Sequence, residues 1–327
     1  MTAGPDVRST GLVIAIVSSL AFALSGPLAK PLLDAGWSSG GTAMVRIGGA
    51  AVVLLVPTAV LLVRSRGRAL VGNSRFLIGY GVFPIAGAQL GFFSAIQTLP
   101  VGVALLIEYL APVFVVLWLW VRRGQRPGRL TILGGAAAMV GLFLVLDLSG
   151  GGSIDPVGVA WALMASACVV VYFLLSATVA DDLSPVLVIG AGMVIGWVVL
   201  AAVALLGVLP VTVVATSASL AGATLPWWVF ATGLVLVATV FAYLTGIVAV
   251  GRLGARLSSF VALSEVVFAA GLSWLLLAQV PNGSQLLGGA LILVGVVFVR
   301  LGEPPADPLA DSTGRELVTE ELRDPVR

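Results

Sequence analysis

The chain has 327 residues, of which 59% are hydrophobic and 10% are charged, and its formal net charge is +2. Ordinary soluble domains contain about 25% charged residues, so the composition excludes a water-soluble protein and predicts an integral membrane protein embedded in a lipid bilayer. With no histidine, one cysteine and no GxxxxGK loop, the chain lacks the means for a His/Cys zinc site, a Ser-His catalytic pair, an intrachain disulfide or an ATPase of its own.

Ten apolar segments follow one another along the chain. A helix needs about 20 apolar residues to cross a hydrocarbon core of about 30 Å, and we predict ten transmembrane helices. They cover residues 11–33, 38–63, 76–97, 101–121, 128–147, 156–179, 184–208, 226–250, 255–278 and 283–301. Residues 1–10 form a short N-terminal tail. Residues 302–327 form a tail rich in acids and prolines, which we predict to be disordered in the cytoplasm.

The distribution of basic residues predicts the orientation of these helices. Lysine and arginine in short loops are retained in the cytoplasm. If the N-terminus is cytoplasmic, 15 of the 17 basic residues lie on the cytoplasmic side, and the other two, Lys30 and Arg46, lie within predicted spans. Both termini are therefore expected in the cytoplasm. The ratio of 16 arginines to one lysine is typical of a GC-rich bacterial genome and indicates a bacterial cytoplasmic (inner) membrane.

A motif near the start of the fifth span recurs near the start of the tenth. The pattern P-x5-LGGA-x3-VG begins at Pro127 and again at Pro281, an offset of 154 residues. Chance similarity between helices rich in Gly, Leu and Val is one explanation; the other is two five-helix repeats, residues 11–147 and 156–301. Because five is odd, the second repeat would enter the membrane upside down relative to the first. The predicted fold is an all-α integral membrane protein with ten transmembrane helices in two inverted five-helix repeats.

Three charged residues, Arg46, Glu108 and Glu265, lie inside otherwise apolar spans. Each costs at least about 2.5–3.5 kcal/mol at the centre of a membrane, so such residues usually have a function. At 1.5 Å per residue, Arg46 and Glu108 lie roughly 12 and 10 Å below the outer face and are predicted to meet. They form either a structural ion pair or part of a substrate site. Glu265, roughly 15 Å from the inner face, has no evident basic partner and is either a proton carrier or a hydrogen-bonding group between helices.

Two further residues are candidates for the same site. Lys30 lies near the outer end of the first span, where a lysine either extends to the membrane interface or stands at the mouth of a cavity. Trp197 lies in the middle of the seventh span. It either lines a cavity or packs between helices.

Several of these residues fall in stretches that resemble a known family. The stretches are Leu28-Ala29-Lys30, Ala43-Met44-Val45-Arg46, LPVGVALLIEYLAPV from Leu99 to Val113, and Ala262-Leu263-Ser264-Glu265. They resemble the EamA-type branch of the drug/metabolite transporter superfamily, most closely its threonine/homoserine exporters. The resemblance implies ten spans in two inverted repeats, a central cavity, and efflux of small metabolites or amino acids. The chain departs from the pattern at Val266, where the family has proline, and at Gln279, where an acid is common.

Together these features predict a secondary transporter, not an enzyme, that exports a small polar or zwitterionic metabolite, with amino acids as the first candidates. In this interpretation Arg46 holds a carboxylate, Glu108 orients Arg46 or meets an ammonium group, and Glu265 carries the proton or completes the substrate site. The alternatives are a channel, or a membrane receptor or enzyme with a solute-binding cavity. We expect no cofactor, no metal site and no nucleic-acid partner. The oligomeric state does not follow from the sequence.

Overall fold

The computed structural model describes residues 5–64, 72–99, 101–145, 155–179, 183–220, 222–277, 280 and 282–302. The predicted C-terminal tail beyond residue 302 lies outside the described residues, as do Gln279 and Pro281. The described chain is almost entirely helical. The expected all-helical membrane architecture is therefore confirmed, and the one short exception is an antiparallel loop hairpin of strands β1 (Ala218–Leu220) and β2 (Ala223–Leu225). Its turn contains Gly222 at a φ of +80°, a conformation that glycine adopts readily.

Within the described residues, nine helical segments are long and apolar enough to cross a membrane, and a further apolar helix of 17 residues is shorter. We number these ten helical segments in chain order. Segments 1 to 10 are Ser9–Asp34, Ser39–Arg64, Ser74–Ala95, Ala104–Arg123, Arg129–Val145, Pro156–Ser176, Pro185–Leu205, Trp227–Leu253, Ala255–Leu277 and Gly283–Gly302. Each overlaps one predicted span, and segment 5 is the short one. Residues 146–154, which follow it, lie outside the described part of the chain.

Five of the segments are interrupted along their length. Segments 1, 4 and 9 each consist of two helices joined at a short turn, and segments 3 and 8 each contain a π-helical stretch between two α-helices. The helices are Pro5–Ala23 and Ser25–Asp34; Ser74–Tyr80, π-helix Gly81–Gly87 and Ala88–Ala95; Val101–Glu108 and Ala111–Arg123; Trp227–Val235, π-helix Leu236–Phe241 and Ala242–Leu253; and Ala255–Ala262 and Ser264–Leu277. Such interruptions are tolerated in membranes where neighbouring groups satisfy the released backbone atoms.

The break in segment 4 has a clear chemical cause. Pro112 lacks the N–H group that would bond to the carbonyl of Glu108, four residues earlier. The hydroxyl of Ser166, on segment 6, donates to this carbonyl instead, at 3.1 Å. The break therefore ends one helix at Glu108 and ties that residue to the opposite half of the chain.

The two halves repeat the same helix boundaries at the offset of the sequence motif. Three helices of the first half begin 154 residues before their counterparts in the second. The paired starts are Ala88 and Ala242, Val101 and Ala255, and Arg129 and Gly283. The π-helical stretches of segments 3 and 8 also fall at this offset to within one residue at the start, and so do the breaks of segments 4 and 9. The repeat thus extends from sequence to backbone conformation.

Segments 5 and 10 pack against each other through the glycines of the repeated motif. A Cβ added to Gly134 would lie 2.6 Å from the carbonyl oxygen of Gly295, and one added to Gly141 would lie 2.5 Å from that of Gly288. The residue numbers of the contacting glycines increase along one helix and decrease along the other, so the two helices run antiparallel. Only glycine allows the backbones to approach this closely.

The remaining segments pair across the two halves of the chain. Segment 2 packs on segment 7, segment 1 packs on segments 8 and 9, and segment 6 packs on segments 3 and 4. The largest buried cluster joins segments 2, 3, 7 and 8 and includes Ile47, Tyr80, Ile189 and Tyr243. The loop between segments 7 and 8 folds over the turn between segments 1 and 2, where the Trp37 indole donates to the Val214 carbonyl at 2.7 Å.

Candidate functional site

A central cavity of about 840 Å³ lies between the two halves and is lined by residues from every segment except segment 7. Its volume is within the range of binding pockets for small molecules. Arg46, Glu108, Glu265 and Lys30 all line it. The structure therefore brings four of the five predicted site residues to one cavity.

Arg46 is held by the π-helical stretch of segment 8. Its Nε donates to the hydroxyl of Thr239 at 2.8 Å, and its Nη2 donates to the carbonyl of Ala238 at 3.0 Å. The Thr239 hydroxyl in turn donates to the carbonyl of Leu234 at 2.8 Å. These bonds leave Nη1 without a hydrogen bond to any residue that the structure describes. The guanidinium is thus fixed on one edge and available to a ligand on another.

The two glutamates lie within electrostatic range of Arg46 and of each other. Neither forms an ion pair with it, because the one ion pair among the described residues joins Lys30 to Asp34. The structural ion pair between Arg46 and Glu108, one of the two interpretations from the sequence, is therefore not formed. Arg46 is the opposite charge within electrostatic range of Glu265, although no ion pair joins the two.

Tyr109 lies within electrostatic range of both glutamates and was not predicted from the sequence. It follows Glu108 in the chain, and its side chain lies close to that of Glu265. The broken helices of segments 4 and 9 make this possible, since Glu108 ends one helix and Glu265 lies in the first turn of another. The sequence feature that could have identified Tyr109 is its position next to an acid within an apolar span.

Aromatic rings cover much of the remaining wall. The Phe22 and Tyr243 rings meet edge to face with centroids 4.9 Å apart, and Tyr172 stands 6.0 Å from Tyr243. All three line the cavity. Nearby, the buried hydroxyls of Ser25 and Ser258 make no hydrogen bond within the described part of the chain. The cavity combines apolar walls with a few polar groups, as small-molecule sites do.

Lys30 and Trp197 are placed differently from each other. Lys30 pairs with Asp34 one turn later, and both side chains are about half exposed, which places Lys30 at the cavity mouth. Trp197 does not line the cavity. Its indole covers Gly48 of segment 2, where an added Cβ would lie 2.4 Å from Nε1, and 40% of the residue is exposed on the outside of the bundle. The prediction that Trp197 lines the cavity is therefore not supported, because segment 7 packs on segment 2 rather than around the cavity.

The cavity is open at one end and closed at the other. Leu33 and Val280 line the open end, and Val280 is 73% exposed. Val250, Ser258 and Ser259 line the closed end, and all three are buried. Two residues before Ser258, the buried side chain of Arg256 donates from Nη2 to the backbone carbonyl of Gln125 at 3.2 Å and to its side-chain oxygen at 3.4 Å. This contact links segment 9 to the turn between segments 4 and 5 on the closed side.

Comparison with known proteins gives one family and one fold. A profile of the EamA-like transporter family matches residues 9–147 and 156–301. No curated protein sequence matches the chain, whereas 18 chains of solved structures do. One of these, titled only as a crystal structure of a protein, superimposes with a TM-score of 0.72 at 20% identity, covering 90% of this chain and 97% of its own. At this identity the likeness concerns the fold alone.

Proposed function

This chain belongs to the EamA-like transporter family and is therefore a membrane transporter and not an enzyme; from that premise we propose that it exports small polar or zwitterionic metabolites, amino acids first among them, in exchange for protons. The single observation that carries the proposal is the cavity shared by Arg46, Glu108 and Glu265. Charged groups are costly inside a membrane, and three of them on different segments at one cavity favour a polar ligand there.

We further propose that all ten segments cross the membrane, in two inverted repeats. The packing of the segments supports this arrangement. If segments 1 to 5 correspond to 6 to 10, the observed pair of segments 1 and 8 becomes segments 6 and 3, which also pack together. Segments 5 and 10, which correspond to each other, run antiparallel through equivalent glycines. A two-fold axis in the membrane plane relates the two halves in this way, because it places each segment on its counterpart in the other half.

The proposed orientation places both termini in the cytoplasm of a bacterial cell and the open end of the cavity outside. The basic residues support it, since they cluster on the side of the closed end. Thiol labelling tests it after Cys168 is replaced by alanine. A cysteine at exposed Ser219 should react with an impermeant reagent in intact cells, and one at exposed Gly124 should not. The reverse result would overturn the orientation.

In the proposed site Arg46 binds the carboxylate of the substrate with its unused Nη1 edge. Thr239 and Ala238 fix the guanidinium, so little rotational freedom is lost on binding. Glu108 meets the ammonium group of an amino acid, and the aromatic rings contact its side chain. Glu265, which lies close to Tyr109, exchanges the proton. Lys30 lies at the mouth, where it is ion-paired with Asp34.

Binding to the Arg46→Gln variant tests the proposal. One charge-assisted hydrogen bond contributes about 1.5–3 kcal/mol, so affinity for an amino acid should fall about tenfold to a hundredfold. Affinity for the corresponding amide should change little. Affinities can be measured by the ligand-dependent rise of the unfolding temperature of the purified protein. Arg64→Gln, the same change at the end of the same helix, is the control.

Two results with variants of Arg46 would contradict the proposal, and a third result would exclude a carrier. An equal loss for acid and amide in folded Arg46→Gln would exclude a carboxylate contact. The Arg46→Lys variant keeps the charge but cannot bond to Thr239 and Ala238 in the same way, and full transport by it would exclude the orienting role of those bonds. A channel, the alternative from the sequence, predicts no acceleration of uptake by substrate loaded on the opposite side of a vesicle. A carrier requires such acceleration, and its absence would exclude alternating access.

A further inference from the structure

A second, smaller cavity forms a groove on the outside of the bundle. It has a volume of about 280 Å³ and is lined by residues of segments 3 and 6 alone, namely Arg75, Phe76, Gly79, Phe83, Val171 and Leu175. None of them lines the central cavity. On segment 3, Arg75, Gly79 and Phe83 are four residues apart and Phe76 adjoins Arg75, and the two lining residues of segment 6 are also four apart, so each set lies on one helix face.

The groove exists because segments 3 and 6 separate toward the start of segment 3. Farther along they are in close contact, since a Cβ on Gly91 would lie 2.8 Å from the backbone nitrogen of Ala165 and one on Gly87 would lie 2.6 Å from the sulfur of Cys168. At Gly79 an added Cβ would meet nothing within 4 Å. The neighbouring residue Tyr80 is buried and hydrogen-bonded to Ser176, which closes the groove from behind.

The groove is charged at one end and apolar along the rest of its length. Arg75, the second residue of segment 3, is exposed and makes no hydrogen bond or ion pair within the part of the chain that the structure describes. The other five lining residues are apolar or glycine. Phe83 lies eight residues farther into the membrane than Arg75, or about 12 Å along the helix. Within the described part of the chain, the groove thus has an unpaired positive charge at the membrane boundary. The rest of the groove is apolar and faces the lipid.

We propose that this groove is a binding site for one anionic phospholipid. The phosphate of the lipid bonds to Arg75, and one acyl chain lies over Gly79 between Phe76 and Phe83. Basic residues beside helix grooves on the cytoplasmic side attract acidic headgroups, and Arg75 lies on the side where most arginines cluster. The cleft at Gly79 gives the acyl chain a fixed path, which distinguishes this site from the rest of the lipid-facing surface.

Native mass spectrometry of the purified protein tests the site, using mixed micelles of phosphatidylglycerol and phosphatidylcholine. The protein should retain one phosphatidylglycerol in preference to phosphatidylcholine. Arg75→Gln should reduce this retention about tenfold, the effect of one charge-assisted hydrogen bond. Gly79→Leu should reduce it as strongly while leaving the charge unchanged, because leucine fills the groove.

Matched controls separate this site from general attraction. Arg64→Gln removes an arginine outside the groove, and Gly271→Leu fills open space on segment 9, where an added Cβ also meets nothing within 4 Å. Neither should change lipid retention. Equal retention of the two lipids, an unchanged result for Gly79→Leu, or an equal loss in Arg64→Gln would overturn the proposal. Loss in Gly79→Leu but not in Arg75→Gln would also overturn it, since the groove would then bind acyl chains without regard to headgroup.

Discussion

The first and second halves of the molecule share helix boundaries but differ in the side chains at equivalent positions. At the offset of 154, Glu108 corresponds to Ala262, and Glu265 corresponds to Ala111. Each half therefore contributes one carboxyl group to the cavity, one immediately before the helix break and one immediately after it. Arg46 belongs to segment 2, whereas segment 7, with which it pairs, contains no charged residue. The two halves therefore share a pattern of helix boundaries, whereas the charged side chains that line the cavity differ between them.

The same contrast holds at the two ends of the cavity. Arg256, near the closed end, corresponds to Gly102 in the first half, which has no side chain to bond across the opposite end. The hydrogen bonds from Arg256 to Gln125 therefore have no counterpart from residue 102. Substitutions that exchange or remove these differences test the comparison directly.

The largest expected effect is that of Glu265→Gln. Glutamine occupies the same space but cannot exchange a proton, so accumulation of substrate driven by a pH gradient should be lost. Exchange of labelled for unlabelled substrate, which needs no net proton movement, should persist. Uptake into inside-out vesicles measures both.

Moving the acid to the other half sharpens this prediction. In the double variant Glu265→Ala/Ala111→Glu the carboxyl moves from segment 9 to the equivalent position of segment 4, three residues after Glu108. We expect no recovery of accumulation. Recovery would mean that the two halves are interchangeable, and accumulation by Glu265→Gln itself would end the assignment of Glu265 as the proton carrier.

A large loss of stability is expected when the contact between segments 5 and 10 is overfilled. Leucine at Gly141 would place its Cβ 2.5 Å from the Gly288 carbonyl, and a backbone atom cannot move aside cheaply. Overpacking of this kind costs about 1–3 kcal/mol or more, so the unfolding temperature in detergent should drop. Gly288→Leu should be equally harmful because the contact is reciprocal. Gly271→Leu, in open space, should have little effect, and an equal drop there would refute the packing argument.

A smaller effect is expected from Arg256→Met, which removes the hydrogen bonds to Gln125 while keeping an apolar side chain. Loss of one charge-assisted bond of about 1.5–3 kcal/mol should raise the population open on the closed side about tenfold or more. A cysteine at buried Val250, in protein lacking Cys168, reports this as faster labelling from the cytoplasmic side. Arg252→Met, a change at an exposed arginine nearby, should not alter the rate. Identical rates in all three proteins would show that Arg256 does not hold the cavity closed.

The smallest effect is expected from Val266→Pro, which gives segment 9 the proline of segment 4. Val266 lies in the first turn of its helix and donates to the Leu263 carbonyl at 3.1 Å. Losing that bond costs about 0.5–1.5 kcal/mol, and the existing break already accommodates a proline ring. Transport should be retained. Pro112→Val should impair transport more, because the new N–H competes with Ser166 for the Glu108 carbonyl; the opposite ranking would mean that the two breaks are not equivalent.

The amino-acid sequence by itself determined where the helices lie, that the chain repeats, and which charged residues to examine. Crossing a membrane requires long apolar stretches, so the segments stand out without any knowledge of their packing. Likewise the cost of burying charge singles out Arg46, Glu108 and Glu265 whatever their neighbours. The glycine motif revealed the repeat because close helix contact leaves little choice of residue.

Tertiary structure alone decided which faces meet and what each side chain contacts. In lipid, both the packed and the exposed face of a helix are apolar, so the sequence pattern does not indicate which face turns inward. For that reason Trp197 was expected at the cavity and lies outside it, while Tyr109 was overlooked. Arg46 donates to Thr239 and Ala238, which lie more than 190 residues away in the chain. The π-helical turn of segment 8, which depends on packing, brings the oxygens of these two residues within hydrogen-bond distance.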